Sequence, residues 1–162
     1  MKNPQTLAEE LYKHFPTPKL KSIKENACCA FTLLWWLGID CSDIEAIMIV
    51  SDLIKTKALD PDCTVYWAEC IRQLTGRTME SLDKVPITSI KKIKERTIVR
   101  YTRGTKGHWV GVQNGKIVFN SLSKSMCVEE GKPTEMRLIK IKGVPYNCPF
   151  FYFLYGCNRD LV

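Results

Sequence analysis

Asn26-Ala27-Cys28-Cys29-Ala30-Phe31-Thr32-Leu33-Leu34-Trp35-Trp36-Leu37-Gly38 is one of the two longest apolar runs in the 162-residue chain. Its length and its terminal glycine predict a buried helix that carries a cysteine in its first turn and uses Gly38 as its stop. A thiol at that place meets the positive end of the helix dipole, which favours the thiolate. A nucleophilic thiol needs a base, so the reading of the rest of the chain turns on whether it supplies one.

Composition sets the frame. At this length the chain is expected to be a single domain, 1–162, able to bury a real core. Hydrophobic residues at 45% and charged residues at 25% are ordinary for a globular protein. The start, Met1-Lys2-Asn3-Pro4-Gln5, leads into a polar helix and not into an apolar signal region, so a cytoplasmic protein without a secretory signal is expected. The second apolar run, Pro149-Phe150-Phe151-Tyr152-Phe153-Leu154-Tyr155, like the first, falls short of the roughly 18 residues of a membrane span.

The cysteines are Cys28, Cys29, Cys41, Cys63, Cys70, Cys127, Cys148 and Cys157, and they read as free thiols of a reduced compartment. There is no Cys-x-x-Cys pair and there are only two histidines, so neither a structural zinc site nor another cofactor is expected. The net charge of +7 is concentrated between Lys84 and Arg103. Without an accompanying nucleic-acid motif it reads as a solvated basic face, and a nucleic-acid partner is not expected.

In chain order, Thr6 to Phe15 has Leu7, Leu11 and Phe15 on one helical face, with Thr6 and Glu9 as a capping box and Pro16 and Pro18 as the stop. Residues 19–27 read as a polar approach loop to the cysteine helix. Ser42 and Glu45 form a second capping box, opening a helix over about 43–56 with Ile44, Ile47, Met48 and Ile54 as its apolar residues. Asp60-Pro61 reads as an N-cap and first-turn proline, with the helix ending at Thr75-Gly76. Val85-Pro86 reads as a break and Thr88–Lys94 as a short helix. Strands are expected over Thr97–Tyr101, His108–Val112, Lys116–Ser121, Met136–Ile141 and Phe150–Tyr155. The order is α+β, with a helical lobe over about 1–76 and a β lobe over about 88–157.

His108 is the only histidine in the strand half and opens its strand. Asn120 lies 12 positions later, near the end of the partner strand. Register decides whether they share a face, because paired residues of an antiparallel ladder do. A three-residue Gln113-Asn114-Gly115 loop puts His108 opposite Asn120 and Trp109 opposite Phe119, and it is the register expected here. A two-residue Asn114-Gly115 turn would pair His108 with Ser121 and make Ser121 the candidate.

With these residues in place, a resemblance can be stated. Cys28-Cys29-Ala30-Phe31-Thr32 resembles the Cys-Trp-Ala-Phe-Ser around the nucleophile of papain-like cysteine peptidases. His108-Trp109-Val110-Gly111-Val112 is similar to the strand that opens with their histidine, and Asn120-Ser121 to their Asn-Ser. The likeness spans roughly residues 20–125 and agrees in residue order and in lobe order, as in a compact bacterial or phage-type member. It implies a papain-like fold, with the nucleophile helix of the N-terminal helical lobe packed on a C-terminal antiparallel sheet.

It also implies roles. Cys28 would attack a carbonyl, His108 would pair with the thiolate and protonate the leaving group, and Asn120 would hold the imidazole. The backbone N–H of Cys28 would be one oxyanion donor. The family's second donor is a glutamine six residues before the nucleophile. Here Ser22 stands at that position, and Asn26 offers an amide nearby. Cys29, one step around the helix, is the alternative nucleophile.

The expected function is a cysteine peptidase-like thiol hydrolase acting on a peptide or isopeptide bond of a protein or peptide substrate. Acyl transfer or deamidation on the same triad, or an inactive papain-like binding module, are the alternatives.

Overall fold

A computed structural model describes residues 1–144. The expected strand Phe150–Tyr155, with Cys148 and Cys157, lies outside the described residues. Six helices and a five-stranded antiparallel sheet are described, in an α+β order, and no helix among the described residues is long and apolar enough to cross a membrane.

α1 (Pro4–His14) starts two residues before the predicted Thr6. Pro4 takes the first-turn position, where a missing N–H costs nothing. Thr6 is inside the helix and does not cap it; its hydroxyl bonds Ser123 instead. α1 buries Pro4, Gln5 and Ala8, and the predicted core residue Phe15 is exposed.

The expected approach loop is α2 (Pro18–Asn26): the Thr17 side chain accepts from the Leu20 N–H and Pro18 opens the helix, a cap-and-proline start overlooked in the sequence. Ala27 makes the joint to α3 (Cys28–Trp36). α3 ends as predicted. Ile39 N–H bonds Leu34 O and Gly38 N–H bonds Trp35 O, with Gly38 at φ 74°, which is a Schellman stop.

α4 (Asp43–Lys55) carries the predicted Ser42/Glu45 capping box. It buries Ala46, Ile47, Val50 and Leu53, while Ile44 and Met48 stay exposed. The Asp60-Pro61 start is not used. Cys63 takes the left-handed conformation at φ 64°, which turns residues 60–66 into a loop, and α5 runs Trp67–Thr75 before stopping at Gly76.

The sheet begins earlier than expected. β1 (Met79–Pro86) is a strand where a break at Val85-Pro86 was predicted; Pro86 is its last residue, and β1 is an edge strand, where a missing N–H is tolerated. Residues 88–94 form turns, not a helix. β2 (Thr97–Arg103), β3 (Lys106–Gln113), β4 (Lys116–Asn120) and β5 (Lys132–Ile141) complete the order β1-β5-β2-β3-β4. The short α6 (Met126–Glu129) lies between β4 and β5.

Each face of the sheet covers its own core. Ile98, Phe119, Ile139 and Ile141 join the helices, α3 above all. Val99, Tyr101, Val110 and Val112 meet Cys127 of α6 and Ile87, Ile90 and Ile93 on the other side.

α3 lies along β3, and Gly111 is what lets it come so close. The Trp35 indole stacks on Phe119 with ring centres 6.0 Å apart, and a methyl group on Gly111 would sit 2.4 Å from a Trp35 ring carbon. The Arg96 guanidinium covers the Trp35 ring at 4.1 Å, and the Trp36 indole N–H bonds Arg96 O, so the chain leading into β2 clasps the end of α3. Gly111→Ala is therefore expected to destabilise the fold by about 1–3 kcal/mol, the range for overpacking a tight core. Urea denaturation of the two proteins checks this; equal midpoints would mean that Trp35 has room to move.

Candidate active site

The β3–β4 hairpin differs from the predicted register. Asn114 and Gly115 form a two-residue turn, both at positive φ (51° and 71°), which matches the twist of the flanking strands. Gln113 pairs with Lys116 and Val112 with Ile117, but the register then shifts, so that Gly111 pairs with Phe119 and Val110 with Asn120. Val118 is the extra residue, bulged out and half exposed. Phe119 accordingly faces Gly111, not Trp109.

Without the bulge, a two-residue turn would have turned Ser121 toward the His108 face. With it, Asn120 stands diagonal to His108 on the same face, and its Oδ1 lies 2.7 Å from His108 Nε2. Ser121 points the other way and is fully buried, donating its hydroxyl to Gln5 Oε1 at 2.8 Å.

The Asn120 amide is fixed in orientation. Its Oδ1 also accepts the Leu122 N–H at 3.1 Å, an Asx turn. A flipped amide would aim its NH2 at that N–H, donor against donor. Oδ1 therefore faces the imidazole, and because it can only accept, His108 Nε2 must carry the proton. In the neutral ring this leaves the lone pair on Nδ1, the form a general base requires. Burial holds the His108 pKa below the ordinary 6.5, with the Asn120 bond pulling it back up, so the neutral ring is favoured near neutral pH.

Cys28 lies against the same strand, β3, at the edge that β4 leaves open. β4 ends at Asn120, opposite Val110, while β2 continues past it to pair with Trp109 and His108. The β3 edge at Trp109 is thus left uncovered by β4, and α3 covers it. The Thr32 hydroxyl shares its one proton between Cys28 O at 2.7 Å and Trp109 O at 3.1 Å, linking the first turn of α3 to the strand. The Trp109 N–H faces the Cys28 sulfur. The thiol is thereby set beside the residue that follows His108. Among the described residues no hydrogen bond joins the Cys28 thiol directly to the His108 ring; each side chain is tied to a third group.

The dipole expectation for Cys28 is overturned in net effect. Burial is the largest influence and pushes the thiol above its ordinary 9.0; the N–H groups of Trp109, Cys29 and Cys28 itself act in the opposite sense but do not prevail. Cys29 is raised further, well above 9.0, by burial and by the neighbouring Cys28, and no backbone N–H offsets it. Between the two, Cys28 is the thiol supplied with donors. Cys63, pushed up to about 12 chiefly by burial, and the other described cysteines are free thiols too.

Ser22 and Asn26 both lie on α2, one turn apart. Ser22 is half-buried, Asn26 is exposed, and neither side chain makes a hydrogen bond among the described residues. No group of three or more metal-ligating side chains occurs among the described residues.

Three further features around β3 and the chain after β4 carry no signal in the sequence. Gln5 is 2% exposed, with Nε2 on Lys24 O at 2.8 Å and Oε1 on Ser121, so its amide is spent on protein contacts. A polar residue in the first turn of a helix gives no signal of burial. Arg137 is buried on β5, paired with Glu135 and lying 4.7 Å over the Trp109 ring. Finally, Trp67 meets Trp109 edge-on at 6.4 Å and lines a cavity of about 550 Å³ with Val65, Met79 and Leu82. Both ring contacts to Trp109 join residues far apart in sequence.

Comparison of the chain with protein-family models, with curated proteins and with solved structures gave no match.

The His108 geometry has a consequence for stability. A histidine whose folded pKa is depressed binds its proton more readily in the unfolded chain. Its contribution is therefore unchanged above pH 6.5, is lost as pH falls from 6.5 to the folded value, and levels off below that. Urea midpoints of the wild type are expected to drop over this window more than those of His108→Gln. Parallel curves for the two proteins would mean that the ring is protonated as easily inside as outside.

Proposed function

We propose that the chain is a papain-like cysteine hydrolase that cleaves a peptide or isopeptide bond through Cys28, His108 and Asn120. The observation that carries this reading is the Asn120 side-chain carbonyl, shared between the Leu122 N–H and His108 Nε2, which leaves Nδ1 as the free base on the strand whose next residue, Trp109, is bonded to the helix that bears Cys28. In the proposed reaction His108 Nδ1 takes the Cys28 proton and the sulfur attacks the scissile carbonyl carbon. The carbon–nitrogen bond breaks as the imidazolium returns that proton to the leaving amine. Water then hydrolyses the thioester, with the same imidazole as base.

The Cys28 N–H at the start of α3 would supply one oxyanion donor. Ser22 and Asn26 remain the proposed second donors, since both side chains are uncommitted. Acyl transfer and deamidation would use the same groups with a different acceptor or a side-chain amide.

A second reading, an inactive binding module of the same fold, has its own support. Burial raises the thiol pKa and lowers the imidazole pKa, the reverse of what a resting ion pair needs.

Iodoacetamide labelling at pH 6 separates the two. The hydrolase reading expects selective alkylation of Cys28, slowed about 10²-fold in His108→Ala, in line with the loss of a positioned base. Slow, uniform labelling of all thiols, unchanged by His108→Ala, would sink it and leave the binding module.

A further inference from the structure

The first residues of the chain reach both sides of the candidate site. The Asn3 side chain donates Nδ2–H to Asn120 O at 2.9 Å. The Gln5 N–H donates to Ser121 O at 2.9 Å, and Gln5 Oε1 accepts from the Ser121 hydroxyl. Thr6 accepts the Ser123 N–H at 2.9 Å. Asn120, the last paired residue of β4, and residues 121 and 123, which follow the strand, are thus held by Asn3 and the first turn of α1. On its other side, Gln5 Nε2 donates to Lys24 O, in the last turn of α2 just before Cys28. The segment is itself anchored: the Lys2 and Asn3 N–H groups both bond the Asp43 carboxylate at the start of α4.

Resting on the hydrolase reading, we propose that Asn3 and Gln5 are positioning residues: a clasp that fixes the chain after β4, aims the Asn120 carbonyl at His108 Nε2, and so holds the imidazole in its Nε2–H tautomer. The reason is local. The Asx turn that aims Asn120 is only as rigid as the path from Asn120 to Leu122. Strand pairing ends at Asn120, so the rest of that path has none of its own. Its carbonyls at Asn120 and Ser121 are taken by Asn3 and Gln5, and its one buried hydroxyl by Gln5. Gln5, with both ends of its amide occupied, has nothing left to offer a substrate, so its action runs through Asn120.

The test is the ¹⁵N spectrum of the His108 ring in the full chain at pH 8, together with the rate of Cys28 alkylation by iodoacetamide. Asn3→Ala, Ser121→Ala and Gln5→Leu each remove one part of the clasp, the first two with little loss of packed volume. The wild type is expected to give the Nε2–H signature alone. The variants are expected to show a mixture of tautomers, with Cys28 alkylation slowed about tenfold, in line with a misplaced base. Folded variants that melt earlier but keep the wild-type ring signature would overturn the clasp and leave a purely structural link. If the variants shift the tautomer while His108→Ala leaves Cys28 alkylation unchanged, the clasp stands and the hydrolase reading fails.

Discussion

The site rests on one backbone edge. A strand whose neighbour stops early exposes N–H and C=O groups that must find other partners. β3 is in that position at Trp109, because β4 ends opposite Val110. The fold resolves this with α3, whose Thr32 hydroxyl takes the Trp109 carbonyl and whose Cys28 thiol faces the Trp109 N–H. The early end of β4 also frees Ser121 to turn into the helical lobe and bond Gln5. A longer β4 would satisfy the edge by itself, and it would leave neither a berth for the thiol nor a purchase for α1. Gly111 completes the arrangement, since α3 can lie this close to β3 only where a residue without a side chain receives the Trp35 ring.

This dry, close-packed setting decides the electrostatics. A thiol at a helix start gains from the dipole, by about 0.3–1 kcal/mol for an exposed charge. Removing the same charge from water costs several kcal/mol. Cys28 is 7% exposed and His108 4% exposed, so desolvation is the larger effect for both, moving the thiol up and the imidazole down. The Trp109 and first-turn N–H groups oppose it at the sulfur, and Asn120 opposes it at the ring. In the proposed reaction, proton transfer from Cys28 to His108 would create both charges at once, and each would then offset part of the other's desolvation in a medium of low dielectric.

The sequence displayed what local chemistry determines. The Gly38 stop, the Ser42/Glu45 box and the strands of the β2–β3–β4 meander follow from residues within a few positions of one another. What it hid was set by distant partners. β1 has no alternating pattern strong enough to mark it, and it is a strand because β5 pairs with it along nearly its whole length. Asp60-Pro61 carries a valid helix-start signal, but residues 60–66 form a turn closed by Cys63 N–H on Asp60 O, with the Tyr66 hydroxyl on the Asp60 carboxylate. Gln5 and Arg137 are polar side chains buried only because several elements converge on them.

The His108–Asn120 contact is readable in the sequence for a reason more general than a three-residue loop. Whether His108 and Asn120 share a face depends on how many residues between them are left out of pairing. A three-residue loop leaves out three: Gln113, Asn114 and Gly115. The observed hairpin also leaves out three, Asn114 and Gly115 in the turn and Val118 in the bulge. Both arrangements give the two side chains the same face, and they differ only in offset: directly opposite in the first, diagonal in the second. Diagonal neighbours start farther apart, about 7–8 Å between backbones, but a histidine and an asparagine together span that gap, as the 2.7 Å contact shows. The offset has a chemical benefit. It brings Asn120 to the very end of β4, where its carbonyl oxygen can also take the Leu122 N–H, and it is this second bond that settles which nitrogen of His108 carries the proton.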